Sequence, residues 1–269
     1  MNQIFETFKP RNTLVAKYVD YYYLDLKPFN LENQFDCFPH FNNTISLYKS
    51  HIRSANGDLT FKHNAQPIQI FTPIRQQILH VKQMGPVHRI VIVFHPLGIN
   101  QFYNSLNLSR LTTEYSFFAT DELFDFFATT AIEELTALLD QSLVKRHKSF
   151  YHEILQRAIG IILNNCRELS VTQLSNELNI SRQHLNRLFQ HHLGISVKKF
   201  HEIAWFRATM NRKLNGFKGN FTDIAYEFNY ADQSHFNKIY KKFTRNSPKS
   251  FFSKGTILGN EDTYWHIYS

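Results

Sequence analysis

The stretches HLNRLFQHH, residues 184–192, and HFNKIYKKF, residues 235–243, carry one pattern twice, fifty-one positions apart. In each, His, Asn, a basic residue, an aliphatic and an aromatic come in the same order. Helical periodicity gathers Leu185, Leu188 and Phe189 on one face of the first copy, and Phe236, Ile239, Tyr240 and Phe243 on one face of the second. The opposite faces carry Arg182, Gln183, Asn186, Arg187 and Gln190, then Gln233, Ser234, Asn237, Lys238 and Lys241. Ahead of the first copy, Val171, Leu174, Leu178 and Ile180 supply a short helix and its turn, with Ser181 able to cap the next helix. Ahead of the second, Ile224, Ala225 and Phe228 do the same, with the turn at Ala231 or Asp232.

Each unit therefore predicts a short helix, a tight turn and a second helix with a polar outer face, which is helix-turn-helix geometry. Arg is the residue type that reads guanine edges, and Gln and Asn read adenine. Two such helices about 34 Å apart can enter successive major grooves on one face of a duplex. One copy alone is weak evidence, because many small helical domains share the geometry without touching DNA. The charge adds a second line. Residues 1–148 hold 14 Lys and Arg against 13 Asp and Glu, and residues 149–269 hold 16 against 9. The positive charge is concentrated where the repeat lies, as in a domain that binds a polyanion.

Upstream the patterning differs. VDYYYLDL, TISLYKS, DLTFKH, PIQIFT, QILHVKQ and HRIVIVFHP, between residues 19 and 96, read as short strands rich in β-branched and aromatic residues. Asn56-Gly57 and Gly85-Pro86 punctuate them, and the succession predicts an antiparallel sandwich or small barrel. After about residue 101 the period becomes helical. Leu123, Phe124, Phe127, Ala131, Leu135, Leu138 and Leu139 form an apolar stripe that either packs on the β-rich part or serves as a dimer surface. Ile154, Leu155, Ala158, Ile161 and Ile162 form another stripe, and no clear strand follows up to about residue 252.

Enzymatic signatures are missing from the sequence. His40, His51, His63, His80, His88 and His95 are scattered, and no His-x-His pair occurs that could put two rings on one ion. His191 and His192 are neighbours in a helix, where adjacent side chains diverge. No serine elbow, phosphate-cradling loop or paired-cysteine site appears. Cys37 and Cys166 are two and distant, as expected of reduced core thiols. No catalytic residue, metal or cofactor is therefore expected. Tyr21, Tyr22 and Tyr23 are candidates to line an apolar effector cavity, with sheet core as the plain alternative. The opening MNQIFETFKPRN has no apolar run of a signal peptide, and IVIVF at 90–94 is too short to span a bilayer. A cytoplasmic protein that does not use a membrane is expected.

Residues 149–252 resemble the DNA-binding domain of AraC/XylS-type bacterial transcription regulators. The resemblance runs through QLSNELNISRQHLNRLFQHHLGIS and, more specifically, TDIAYEFNYADQSHFNKIYKKFTRNSP. It implies base contacts from Gln183, Asn186 and Arg187, then from Gln233, Ser234, Asn237 and Lys238. It implies phosphate contacts from Arg182, Gln190 and Lys241. Departures exist: Val197 stands where proline is usual, Arg245 where glycine is usual, and Trp205 where arginine is usual, a role not passed on to Arg207. Asn179 and Asn229 replace the turn glycines, and asparagine tolerates the left-handed conformation. FTPIRQQILHVKQMGPVHRIVIVFHPLGINQFY, residues 71–103, resembles the sensor-like domain that precedes the DNA-binding domain in some of these regulators, which commonly binds a small effector or mediates dimerisation.

The expectation is an α+β chain with a β-rich sensor or dimerisation domain over 1–110, a helical connection over 111–148, an all-α DNA-binding domain with two helix-turn-helix motifs over 149–255 and a tail over 256–269. The expected partners are double-stranded DNA, a small-molecule effector, a second copy as a homodimer and, for an activator, RNA polymerase. The competing class is a small-molecule-binding protein or cupin-like enzyme with a degenerate helical tail. A basic, doubled reading surface weighs against it.

Overall fold

In the computed structural model, which describes residues 3–167 and 169–268, side-chain alternation along one central strand organises the N-terminal half. That strand, β2 (Val19–Lys27), is the YYYLDL segment. Tyr22 and Leu24 point to one face of the sheet and join Ile45, Leu47, Ile90 and Ile92 in a single buried cluster. Tyr21 and Tyr23 point to the other and join Phe35, Val91, Val93 and Trp265. Period two puts neighbours on opposite faces, and a strand covered on both sides is apolar throughout rather than alternating.

Among the described residues, ten strands come from the N-terminal half: β1 (Ile4–Phe8), β2, β3 (Glu32–Cys37), β4 (Asn43–Tyr48), β5 (His51–Arg53), β6 (Leu59–Phe61), β7 (Ile68–Thr72), β8 (Leu79–Met84), β9 (Val87–Phe94) and β10 (Thr113–Glu114). One sheet has the order β1-β2-β9-β4-β7-β10, with every adjacent pair antiparallel. The second sheet faces it and includes β3, β8, β6 and β5, so the arrangement is an open sandwich rather than a small barrel. Gly85-Pro86 joins β8 to β9, and at that point the chain crosses between the sheets.

The outer face of the first sheet is covered by α1 (Thr120–Ala128) and α2 (Ile132–Arg146). The apolar stripe is therefore packing surface: Leu123, Phe127, Leu135 and Leu139 are buried with Tyr22, Leu24, Ile90 and Ile92. Phe124 faces away and is 56% exposed. The two helices part at Thr129–Ala131, where Thr129 Oγ1 accepts from the Ala131 amide at 3.1 Å. Such a local bond competes with helix continuation. On the same side, Tyr22 Oη donates to Asp140 Oδ1 at 2.7 Å, while Asp140 Oδ2 accepts the amides of Arg11 and Asn12 at 2.8 Å each.

Among the described residues, seven helices follow: α3 (Glu153–Asn165), α4 (Val171–Glu177), α5 (Arg182–Leu193), α6 (Val197–Leu214), α7 (Phe221–Glu227), α8 (Gln233–Thr244) and α9 (Pro248–Lys254). The segment expected to be a plain tail then becomes two strands, β11 (Gly255–Ile257) and β12 (Tyr264–Tyr268). β12 returns to the N-terminal half and pairs antiparallel with β3, with Trp265 opposite Cys37 and Ile267 opposite Phe35. The second sheet is thus β11-β12-β3-β8-β6-β5. Trp265 lies flat on Phe35, with ring centroids 4.4 Å apart, and takes Phe5 edge-on at 5.4 Å. Trp265→Ala should cost about 3–5 kcal/mol, the range for truncating a buried aromatic. Urea unfolding of the whole chain checks this, and a change of less than about 1 kcal/mol would mean that β12 is only loosely attached.

Candidate nucleic-acid interface

The repeated helices are set by repeated caps. Ser170 Oγ accepts from the Gln173 amide at 3.2 Å, and Asn220 Oδ1 from the Asp223 amide at 2.9 Å, each closing a capping box at the start of α4 and α7. Ser181 Oγ accepts from the His184 amide at 3.1 Å and Asp232 Oδ1 from the His235 amide at 2.6 Å, starting α5 and α8. Ser196 and Ser247 then start α6 and α9 in the same way. The first pair of caps is fifty positions apart and the later pairs fifty-one. The extra residue sits in the second turn, between Asn229 and Asp232. Asn179 and Asn229 both take the left-handed conformation, with φ of 53° and 54°. Asparagine is the side chain other than glycine that accepts it most readily.

Both recognition helices also end alike, on a left-handed residue: Gly194 (φ 68°) after α5 and Arg245 (φ 59°) after α8. Gly194 has a second reason to lack a side chain. A Cβ there would lie 2.5 Å from Leu108 Cβ and 2.7 Å from the Leu108 carbonyl oxygen. Arg245 carries the local cost of its backbone angle, about 1–2 kcal/mol.

The inner faces are as the periodicity predicts. Leu185 and Phe189 are fully buried and Leu188 is half-buried, while Phe236, Ile239, Tyr240 and Phe243 are all buried. On the outer faces Arg182, Gln183, Arg187 and Gln190 are exposed, as are Gln233, Ser234, Lys238 and Lys241. Asn186 and Asn237 are half-buried, and Asn186 Oδ1 accepts the Val197 amide at 3.3 Å. That bond ties the first reading helix to the start of α6, at the position where proline would have had no amide to donate. Among the described residues, no carboxylate lies within ion-pair distance of Arg182, Arg187, Lys238 or Lys241. Lys242, in contrast, is held by Glu202 at 2.6 Å. The amino-terminal halves of both helices present unpaired cations and amides. The end of α5 instead meets the β-rich half, where Gln76 Nε2 donates to the Gly194 carbonyl at 3.2 Å.

The two units are spaced by α6, about 27 Å long at 1.5 Å per residue. Trp205, on α6, donates through Nε1 to the Phe228 carbonyl at 2.9 Å and stacks on Tyr230, centroids 4.1 Å apart. It therefore fastens the spacer helix to the turn of the second unit. Arg207 does something different: it is buried and forms an ion pair with Asp262, from the loop before β12. Burial, then the Arg75 charge, pushes its pKa down to about 9, well above neutrality, so it remains a cation. Asp262 also meets His40 Nε2 at 2.9 Å, and His40 Nδ1 accepts the Asn42 amide at 3.0 Å. Both ring nitrogens are used by the neutral imidazole with its proton on Nε2. Sequence pattern alone does not reveal this buried Arg207–Asp262–His40 junction, although the spacing of Ile203, Arg207, Met210 and Leu214 places Arg207 on an inward face.

Of the three candidate effector tyrosines, Tyr21 and Tyr23 line a cavity between the sheets with Arg89 and Trp265. Tyr22 lies on the opposite side, against α2 and Asp140.

Residues 174–254 match the helix-turn-helix domain family. The C-terminal unit is an AraC-type helix-turn-helix domain. The chain is accordingly a DNA-binding regulator. No curated protein matches the sequence. Solved structures that this chain matches include those of ToxT from Vibrio cholerae. An apo ToxT variant of strain SCE256 is 10% identical, with 91% of this chain and 98% of that one covered and a TM-score of 0.48. A ToxT structure at 1.65 Å is 10% identical, with 94% and 97% covered and a TM-score of 0.46. Wild-type ToxT bound to an unsaturated fatty acid is 12% identical, with 89% and 98% covered and a TM-score of 0.45. Among the described residues no helix is long and apolar enough to cross a membrane.

The geometry can be checked by two measurements. Arg187→Ala and Lys238→Ala, at the same place in the two units, should relax base preference at separate positions about one helical turn apart. A lost bidentate base contact costs roughly 1–3 kcal/mol, with lysine giving the smaller effect because it lacks the planar fork. Binding-site selection with each variant checks this, and relaxation of the same base pairs by both would refute reading by two grooves. The second measurement concerns His40. Burial first, then Arg207 and Arg75, depress its pKa well below the usual value. The unfolded chain therefore binds this proton at higher pH than the folded one. The stability given by neutral His40 is present above about pH 6.5 and is lost as pH falls from there toward the folded value. Thermal unfolding between pH 7 and 5 should show a steeper fall for the wild type than for His40→Gln, whose amide can make both hydrogen bonds without titrating.

Proposed function

We propose that the protein is a sequence-specific transcription regulator that reads two adjacent major-groove segments, with Gln183, Asn186, Arg187, Gln233, Ser234, Asn237 and Lys238 facing bases. Arg182, Gln190 and Lys241 are placed for phosphates. The carrying observation is the pair of similarly capped helices whose amino-terminal halves expose cations without carboxylate partners among the described residues. Unpaired lysines and arginines on a recognition face gain energy from phosphates and base edges rather than from the protein itself. Asn186 would read through its Nδ2 amide, since its oxygen is engaged by Val197.

In this reading the chain divides near residues 110 and 149 into a β-rich sensor or dimerisation part, a helical connection and the DNA-binding domain. It acts in the cytoplasm and catalyses no reaction of its own. A small effector binds between the sheets, where Tyr21 and Tyr23 rather than Tyr22 are in reach. A second copy, and RNA polymerase if the regulator activates, complete the set of partners. An effector shifts such a regulator only by unequal affinity for its DNA-binding and non-binding states.

Genome-wide mapping of the DNA bound in the native cell tests the reading, together with titration of the full chain against a mapped site. Affinity should fall steeply with salt, by about 0.9 log units per log unit of salt for each phosphate neutralised. Enrichment of no discrete sites, or salt-independent binding, would overturn the proposal.

A further inference from the structure

We propose that the end of the sandwich remote from the DNA-binding unit is a docking site for an acidic segment of another protein that carries apolar anchors. The inference goes beyond the regulator reading, and its test needs no DNA. The β2–β3 turn stands at this end and displays Phe29 and Leu31, which are 83% and 88% exposed. A single exposed apolar side chain is ordinary, but these two stand with Pro28 and Pro86 in one projecting knob. The knob is held firmly. Asn30 Nδ2 donates to the Gly85 carbonyl at 2.8 Å and to the Gln83 carbonyl at 3.4 Å. The Gly85 amide in turn donates to the Leu31 carbonyl at 2.8 Å. Gly85 has a φ of 80°, and a Cβ there would lie 2.8 Å from Phe61 Cβ, so the two turns and Phe61 fit closely together. An apolar surface presented in fixed form loses little entropy when a partner covers it.

Beside the knob lies a groove of about 370 Å³ with apolar walls from Leu26, Pro28, Phe61, Pro86 and Val87. Its polar lining is Lys49, Ser50, His63, Asn64 and His88, with no carboxylate among the described residues. Lys62 is exposed next to His63. Among the described residues, neither Lys49 nor Lys62 has a carboxylate within ion-pair distance, whereas Glu32 of the turn is engaged by Lys82 at 3.3 Å. The rim is therefore cationic, and complementary charge favours an acidic partner. A second copy of the chain is disfavoured, because a two-fold contact would bring these lysines against their own equivalents. His88 adds a requirement of its own. Its Nε2 is buried and has no hydrogen-bond partner among the described residues. Burial first, then Lys49 and His51, pushes its pKa down to about 4, so the ring is neutral at pH 7. A peptide entering the groove brings backbone donors and acceptors that can satisfy such a nitrogen.

The position leaves the reading surface free. β3 starts at the knob with Glu32 and ends at Cys37, about 17 Å farther along. Just beyond that end, Phe38 packs on Phe251 of α9. Knob and helical unit thus lie at opposite ends of β3, and a partner on the knob does not compete with the recognition helices for space.

The test uses the full chain, with a random peptide library displayed on phage as the probe. Selected peptides should be rich in Asp and Glu around apolar residues, and selection on the double variant Phe29→Ser, Leu31→Ser should not enrich them. The best peptide is then labelled and titrated by fluorescence anisotropy. Its Kd should rise at least about tenfold in Phe29→Ser, as for a central apolar anchor. The pair Lys49→Glu, Lys62→Glu should weaken it by a similar factor, and wild-type affinity should fall with salt. Phe29 is so exposed that its replacement should leave the Tm unchanged, which separates loss of the site from loss of the fold. No enrichment, enrichment of neutral or basic peptides, or equal binding by Phe29→Ser overturns the docking site. Sedimentation that shows a dimer dissociated by Phe29→Ser would also overturn it, by assigning the knob to a second copy. Flotation with phosphatidylglycerol vesicles that this variant abolishes would overturn it in favour of a lipid surface. DNA affinity titrated on the same preparation reports on the regulator reading separately.

Discussion

The structure depends on the pairing of β12 with β3. A helical DNA-binding unit would ordinarily be joined to its partner domain by one connection. Here the chain enters the helical unit through α3 and leaves it through α9, and Gly255 begins a strand immediately after Lys254. Gly255 is needed for that step, because a Cβ would lie 1.8 Å from the Tyr264 ring. Tyr264 Oη then donates to the Phe251 carbonyl at 2.9 Å, and His266 Nε2 meets the same oxygen at 2.8 Å. A carbonyl left open near the end of α9 is thereby satisfied by the strand beyond it. Both ends of the helical unit are anchored, so a rotation of the unit against the sandwich must break strand pairing, apolar packing or both.

That constraint explains why the core does not divide where the sequence pattern does. Phe38, Ile74 and Leu97, from the β-rich half, are buried in one cluster with Phe200, Phe206 and Phe251 of the helical half. Phe38 meets Phe251 edge-on, with centroids 4.7 Å apart. Inside this apolar seam sits the Arg207–Asp262 pair. A buried ion pair is weak evidence for stability, because desolvation offsets much of its attraction. Its consequence is directional: removing one partner leaves an uncompensated charge, so the seam tolerates this arrangement and disfavours others.

The legibility of this fold in its sequence divides by the range of the interactions. The doubled helix-turn-helix is legible because caps, apolar spacing and turn residues all lie within a few positions of each other. Ser181, Asn179 and Asn229 are where local chemistry places them. The six strands evident from sequence are those with dense β-branched and aromatic residues. β3, with the sequence ENQFDC, is polar at most positions and becomes a strand only because β8 and β12 flank it. β12 itself is five residues long, and its partner lies more than two hundred positions away. No periodicity over so short a run reveals such a pairing. The extra residue in the second turn is likewise visible only once both sets of caps are located.

The same distinction applies to the interior of the sandwich. Alternation along β2 already separates Tyr22 from Tyr21 and Tyr23, but it does not say which side holds a cavity. The side covered by α1 and α2 is filled by Leu123, Phe126, Leu135 and Leu139, side chains that a helix can fit closely to a sheet. The opposite side must accommodate Asp25, Arg89, Ser46, Thr44 and Thr72 from the inward positions of β2, β9, β4 and β7. Polar side chains spaced across facing sheets cannot interdigitate as hydrocarbon does, because each needs a partner in a fixed direction. The space left over is therefore polar at its centre, where Arg89 faces Asp25 across the β2–β9 register, and it is closed in part by the tail that returns from the DNA-binding unit. Any occupant that changes how β12 and its preceding loop sit must also change the surroundings of Arg207, and through α6 the relation between the two reading helices.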